Sequence, residues 1–539
     1  MSAKKFKILL IGLCVIGMIF GLSGMGFGGE SIVRYSSDWP VTLDPSKNLW
    51  VENFTVFVNL FDPLLFPAPD GSMKPHVAES WDVSPDGLAY TFRIRKGIKF
   101  HDGNALTAED VKFTMDRLLA IGEGPAFLWH GKVKKTTLID DYTVKFELSQ
   151  RFGPFLTTMP FLWIVNKDAV VKNIKKPGPF GDMGDYGKEY VSANDVGSGP
   201  YMVHDHSRDE YLTMKKNPNY FLDISSAPEY FRMIGSTETP LLKTLFARRE
   251  LEMSNMWQST EAIESFTKIE GVEAARWSAN QETYITMHTK KPPLDDIHVR
   301  KALAWAYDYD AGVKFLPGAV QAKGPVPQSV PGADPDAFQY RRDLDKAKAE
   351  IKKSKYYGKL DQYPIDIHWN DNSYMQKHAM LMMANAAKIG ITVNVVEGTF
   401  GLLEQNSSKQ ETTPHMHIVS DQAIYPEAGV LLEGRYHSKT AATWEQSEWL
   451  LDKELDKMID EATTIIDREK RFAKYREISK RIMDYCPTIY LTDDPQTRAY
   501  QAAYMDWPAA QGKPIPVGNY VNCVRFITMH PEKREKLLK

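Results

Sequence analysis

The sequence predicts an α/β protein of more than one domain, and three observations carry that prediction. The chain has 539 residues, more than a single hydrophobic core usually serves. Apolar residues alternate at the period of a strand in some stretches and recur at helical spacing in others. Residues 365–396 read as a β-α-β unit: Ile365-Asp366-Ile367-His368-Trp369, a helix from Ser373 to Ile389 stopped by Gly390, then Ile391 to Val396. Such a unit requires parallel strands joined by a right-handed crossover.

Hydrophobic residues make up 43% and charged residues 25%, a soluble globular balance. A net charge of −3 supplies no basic field, so nucleic acid is excluded as a partner. At the N-terminus, Lys4, Lys5 and Lys7 precede an apolar run, Ile8 to Phe20, and a Gly-rich segment, Gly21 to Gly29. That order reads as a signal peptide over residues 1–29, with Gly26 and Gly28 as the small residues before the cleavage point. The alternative is a retained anchor. Leu13 before Cys14 argues against lipidation there. Cys486 and Cys523 then remain, and their spacing demands no disulfide. No later stretch is long and apolar enough to span a membrane.

Taken in order, Ser31 to Tyr35 reads as a first strand, with Trp39 and Thr42-Leu43-Asp44-Pro45 in the following loop. Val51 to Leu65 is apolar enough for a packed helix, and Asp70-Gly71 turns the chain. Ser84-Pro85-Asp86-Gly87 turns it again, ahead of a strand in which Tyr90, Phe92 and Ile94 share one face. Lys96-Gly97 interrupts, and Ile98 and Phe100 resume the alternation. Thr107 then caps a helix with Glu109 and Asp110 in its first turn and an apolar stripe of Val111, Met115, Leu118 and Leu119.

Thr143 to Leu148 alternates as a strand. Asp295 or Asp296 caps a helix whose Val299, Leu303 and Tyr307 share a face. Leu451, Leu455, Met458, Ala462 and Ile465 stripe one late helix, and Phe472, Tyr475, Ile478 and Ile482 another, with Asp467 and Arg468 between.

The order of these residues carries a resemblance. Ala78-Glu79-Ser80-Trp81, Asp86-Gly87, Tyr90 to Arg95, Lys99 to Gly103 and Thr107 to Val111 are similar to the signature of the family 5 extracellular solute-binding proteins. These are the peptide, oligopeptide and nickel receptors of ABC importers. Thr42 to Pro45, Gly197-Ser198-Gly199-Pro200-Tyr201, Asn217 to Tyr220, Lys290 to Asp308, Arg341 to Lys348 and Cys486 to Leu491 match further motifs in the same order, so the resemblance runs from about Ile32 to Leu491. It implies a two-lobed periplasmic binding protein of class II, cluster C type, with three domains hinge-linked by crossing strands. Domain I would comprise 30–60, 197–276 and 495–539, domain II 61–196, and domain III, the second lobe, 277–494.

For the site, the resemblance points to cleft aromatics at Trp129, Trp257 and Phe400, with Trp39 as a loop candidate. Core or surface packing is the competing reading for each. Peptide receptors of this kind hold the ligand's α-ammonium on an Asp in a G-W-x-x-D segment. The corresponding run, Val419 to Glu427, lacks the Gly-Trp and offers Asp421 or Glu427 instead. That departure keeps sugars in competition with peptides. The pairs His204/His206 and His415/His417 are too few to close a metal site and read as surface or hydrogen-bonded histidines.

Gly24 to Gly29 fits G-x-G-x-x-G only on paper, since no β-α-β context surrounds it, and no nucleophile elbow, P-loop or H-E-x-x-H is present. The expectation is a monomeric, non-enzymatic, exported binding protein without cofactor, found in the periplasm or outside the cell. It would capture a solute, a di- or oligopeptide first, and pass it to ABC permease subunits. The alternatives are an oligosaccharide, opine or nickel-chelate receptor and, more distantly, an exported hydrolase or a chaperone or sensor.

Overall fold

A computed structural model describes residues 31–370 and 373–539; the signal-peptide reading lies outside the described residues. The first lobe is built on a four-stranded sheet. Ile32–Ser37 runs parallel to Tyr230–Gly235, which pairs antiparallel with Tyr211–Lys216, itself antiparallel to Tyr201–Ser207. Distant parts of the chain close this lobe. Arg34 donates from Nε to Glu252 at 3.0 Å, and Tyr504 donates to the same carboxylate at 3.0 Å. The helix Val51–Leu60 is tied to the C-terminal segment by Asn59 Nδ2 on the Asn522 carbonyl (2.9 Å) and Asn522 Nδ2 on Thr55 Oγ1 (2.8 Å).

This helix is shorter than the expected Val51 to Leu65. Pro63 disfavours helical φ/ψ at the residue before it, and the chain turns extended at Phe61. A second expectation also fails: Ile98 and Phe100 are buried but lie in no regular strand. The turn at Gly97 (φ +86°) leaves only an isolated bridge between Lys99 and Ala105.

The signature stretch forms a second sheet. Ala78–Val83 and Ala89–Ile94 make a hairpin around the Ser84 to Gly87 turn, continued by Thr143–Leu148 and Val133–Asp140. The helix Ala108–Ile121 covers it, begun by a reciprocal cap of Thr107 and Asp110. Two motifs that read as separate in the sequence meet here. Arg117 on this helix forms a bidentate pair with Asp44 (2.9 and 2.5 Å) and reaches Ser46 Oγ at 2.7 Å, all buried. His101 bonds Asp195 at 2.7 Å and the Gly199 carbonyl at 3.0 Å. Gly197 is needed beside it, since a Cβ there would lie 1.9 Å from the Leu60 carbonyl.

The second lobe centres on a six-stranded mixed sheet in the order Val320–Gln321, Thr488–Tyr500, Glu273–Met287, Met416–Gln422, Ile365–Asn370, Val393–Gly398. Its last two strands are parallel, with Ile365 opposite Val393, and are joined through the helix Ser373–Ala387, as the β-α-β reading requires. Asp296 caps the helix Ile297–Ala306. Each lobe has its own core: Phe57, Phe92, Trp163 and Trp507 belong to the first, and Leu303, Ile367, Met382 and Ile489 to the second. Cys486 and Cys523 are buried and unbonded.

Two strands connect the lobes. Glu273–Met287 and Thr488–Tyr500 pair antiparallel along their length, with a register break between Ser278 and Gln281. Asn280 sits in the break at φ +53°. On one side of it the Ala499 amide and carbonyl bond Ser254 of the first lobe. On the other side the pair lies inside the second lobe's sheet. A two-strand connection with a local irregularity is where φ/ψ changes move two rigid cores.

Candidate functional site

A cleft of about 610 Å³ opens beside this connection and takes residues from both lobes. The first lobe contributes Val51, Met256 and Trp257. The Trp257 amide donates to Asn255 Oδ1 at 2.9 Å, and the Asn255 amide donates to Ser36 Oγ at 2.8 Å. The loop is thereby fixed to the first strand while the indole stays 62% exposed. The second lobe offers Phe400, the first residue of a helix capped by Thr399, with its ring edge-on to Trp444 at 5.5 Å. Phe400 is 42% exposed. Rings left in water on both sides of a cleft provide apolar area for a third body to cover.

Polar groups complete the wall. Gln281 comes from the connecting strand at the register break, and Asn370, Ser420, Asp421 and Gln422 from strand ends of the second lobe. Among the described residues Asp421 is the one charged lining residue. Its Oδ2 accepts from Arg435 Nε at 2.9 Å, and Arg435 Nη1 donates to Glu282 at 2.6 Å. Arg435 and Glu282 have no exposed side-chain surface, and the guanidinium lies 4.2 Å from the Tyr284 ring centre.

Acids outnumber cations around that guanidinium. Burial raises the Glu282 carboxyl well above its usual range, with Asp493 adding to the effect and Arg435 opposing it. Asp493 and Asp494, on the partner connecting strand, are each lifted to about 6 by burial. Burial and Asp421 lift Glu445 to about 7, and burial lifts Glu448 to about 8. Desolvation disfavours the charged form of each carboxyl.

Of the residues expected at the site, the structure brings Trp257, Phe400 and Asp421 to one cleft. Trp129 is not there. It is fully buried, with its indole N–H on Thr158 Oγ1 at 2.9 Å, because the short turn Gly124–Leu128 folds it into the first lobe's core. Trp39 packs half-buried beside His206, ring centres 6.4 Å apart. Glu427 is committed to Arg471 (3.0 and 2.6 Å) and Tyr475 (3.1 Å) in the second lobe's interior.

Sequence reasoning missed Trp444, Met256, Gln281 and Asn370. A signal existed only for Gln281, where the polar run Asn280-Gln281-Glu282 interrupts a long strand. His417 is buried with neither ring nitrogen bonded, beside His368 at 5.6 Å, and burial depresses it to about 3. Among the described residues no three His, Cys, Asp or Glu converge on a possible ion position, and no helix is long and apolar enough to cross a membrane.

Comparison with known proteins identifies the family and the fold. The family model for bacterial extracellular solute-binding proteins, family 5 (middle region), matches residues 72–443, more than half of the chain. A probable D,D-dipeptide-binding periplasmic protein of Escherichia coli is 26% identical over 468 residues, covering 84% of this chain and 86% of its own. Two solved structures share the fold. An ABC transporter substrate-binding protein, CtaP, of Listeria monocytogenes has a TM-score of 0.80 at 20% identity, covering 93% of this chain and 99% of its own. The periplasmic binding protein DppA of Helicobacter pylori, in complex with the peptide STSA, has a TM-score of 0.73 at 21% identity, with coverages of 93% and 99%.

Proposed function

Because the chain belongs to the bacterial extracellular solute-binding proteins, family 5, we propose that it captures a peptide between its two lobes and delivers it to the membrane subunits of an ABC importer. One observation carries the reading. At the two-strand connection, a cleft is faced by exposed Trp257 on one lobe and by exposed Phe400, packed on half-buried Trp444, on the other, around Asp421, the one carboxylate lining it among the described residues. Closure about the register break at Ser278 to Gln281 removes those rings from water, and the apolar area covered stabilises the closed form. Amide side chains at Gln281, Asn370 and Gln422 suit the alternating donors and acceptors of a peptide backbone. Two of the similar proteins, the probable D,D-dipeptide-binding periplasmic protein and the periplasmic binding protein in complex with the peptide STSA, support peptide as the class.

In this reading the first lobe comprises domain I (30–60, 197–276, 495–539) with domain II (61–196) inserted, and domain III (277–494) is the second lobe. The protein works as a monomer, outside the cytoplasmic membrane, with no covalent step. Binding shifts the melting temperature by mass action, so purified protein is screened against di- to pentapeptides, disaccharides and metal chelates. Peptides raise the midpoint with concentration. A shift with a disaccharide and none with any peptide overturns the proposal, and the aromatic walls make sugars the right competitor to include.

A further inference from the structure

We infer that the lobes also meet at a seam outside the cleft, that this seam must part for the cleft to close, and that Gly153 and Ile466 on it are positioning residues that set ligand affinity without touching ligand. The inference rests on closure as the mode of capture and adds a counterweight to it.

The seam starts at the connecting strands. The Ala423 amide donates to the Asn280 carbonyl at 3.0 Å, and Tyr425, two residues on, is buried within the first lobe's core. From there the contact runs over three glycines of the first lobe. A Cβ on Gly71 would lie 3.0 Å from Pro331 Cγ, one on Gly87 2.8 Å from Ile466 Cγ1, and one on Gly153 2.2 Å from the Ile465 carbonyl oxygen. The turn at Gly87, with φ of +70°, asks for glycine on its own account. Gly153 differs. Its φ lies outside the left-handed region, and the three atoms nearest to its missing Cβ all belong to the other lobe. Its lack of a side chain answers to the seam.

Both faces of the seam are anchored. Phe152 and Phe155, flanking Gly153, are buried in the first lobe's core. Opposite, Arg471 donates from Nη1 to the Ile465 and Ile466 carbonyls at 2.7 and 3.0 Å, while Glu427 holds the same guanidinium in the interior. Across the seam, the Gly153 amide donates to the Thr463 carbonyl at 2.7 Å. Thr463 lies in the last turn of the helix Lys453–Thr464, where a carbonyl has no partner within the helix. Water replaces the amide when the seam parts, an exchange close to balanced. Such a contact suits repeated making and breaking.

Seam and closure are opposed. With the seam made, Trp257 and Phe400 still stand exposed across the cleft, and none of the seam residues named above is among those that line it. The lobes cannot approach further at the seam, since the Ile465 carbonyl already occupies the place of a Cβ on Gly153. Two bodies joined at the register break then bring the cleft walls together only by a rotation that opens the seam. Seam contacts belong to the open arrangement, so they lower the fraction of free protein that is closed. Apparent affinity falls with that fraction.

The test uses two variants of the purified protein. Gly153→Leu wedges the seam apart, and Ile466→Ser removes its apolar contact with Gly87. Calorimetric titration with Ala-Ala and Ala-Ala-Ala should show binding about threefold tighter than wild type in Ile466→Ser, and about tenfold or more in Gly153→Leu. Small-angle X-ray scattering of the free proteins should give Gly153→Leu the smaller radius of gyration, which a merely structural role would not produce. Binding no tighter than wild type in either folded variant overturns the inference, and so does a wild-type radius of gyration in free Gly153→Leu. If Gly153→Leu fails to fold, Ile466→Ser, a change in a loop, decides by affinity. Neither peptide binding the wild type tells against the peptide reading alone, because the scattering comparison needs no ligand and still decides this inference.

Discussion

Replacing Trp257 by Ala separates a cleft role from a packing role. The indole is 62% exposed in the free protein and held by its backbone amide alone. A Trp side chain presents up to roughly 250 Å², so about 155 Å² remains for a ligand and the closing lobe to cover. At roughly 25 cal/mol per Å², full coverage is worth about 4 kcal/mol and half coverage about 2. Trp257→Ala should therefore weaken peptide binding by about thirtyfold to several hundredfold. Stability of the free protein should move by no more than about 0.5 kcal/mol, as for an exposed side chain without partners. Calorimetric titration with the peptide giving the largest thermal shift reads the first quantity, and urea unfolding of the free protein reads the second. Unchanged affinity, or a stability loss above about 2 kcal/mol, would refute the placement.

Trp129→Ala should behave in the opposite way, costing about 3–5 kcal/mol of stability through a core cavity and the lost indole hydrogen bond to Thr158 Oγ1, measured by urea unfolding; a loss under about 1 kcal/mol contradicts its place in the core. Arg117→Ala leaves Asp44 buried without its partner, and urea unfolding should show about 3–5 kcal/mol lost. Burial raises Glu448 from 4.5 to about 8 in the folded protein, so the folded state holds that proton more tightly. The stability it lends is complete below about pH 4.5 and is lost as pH rises through about 8, roughly 3 kcal/mol between about pH 5.5 and pH 8.5. Glu448→Gln should remove that part of the slope; parallel curves for wild type and variant would contradict it. His378 and His417, held near 3 by burial, act in the opposite sense, since their contribution is complete above the ordinary histidine value and declines as pH falls below it.

Local chemistry made much of the fold legible. The Thr107 cap, the Ser84 to Gly87 turn and the β-α-β unit at 365–396 are set by residues close in sequence, and each forms as expected. Motif order made the family legible, and the structure supplies its physical reason. Asp44 of one motif binds Arg117 on the helix that the Thr107 to Val111 motif begins, and His101 of a further motif bonds the Gly199 carbonyl of another. The Val51 helix was overread because an apolar run says nothing of its end, whereas Pro63 does.

The site was only half legible. The family resemblance pointed to Trp257, Phe400 and Trp129 alike; the first two line the cleft, while a short turn folds Trp129 inward. Trp444 reaches the cleft through tertiary packing against Phe400. No local period in Thr443 to Leu450 announces that contact. The same holds for Glu427, which reads as a free acid in the sequence and is spent on Arg471, forty-four residues away.

The central claim is capture between moving lobes, and small-angle X-ray scattering tests it most directly. The free protein is measured against the protein saturated with the peptide that gives the largest thermal shift. Closure about the connecting strands predicts a smaller radius of gyration in the complex. A peptide that raises the melting temperature while leaving the scattering curve unchanged would contradict the account.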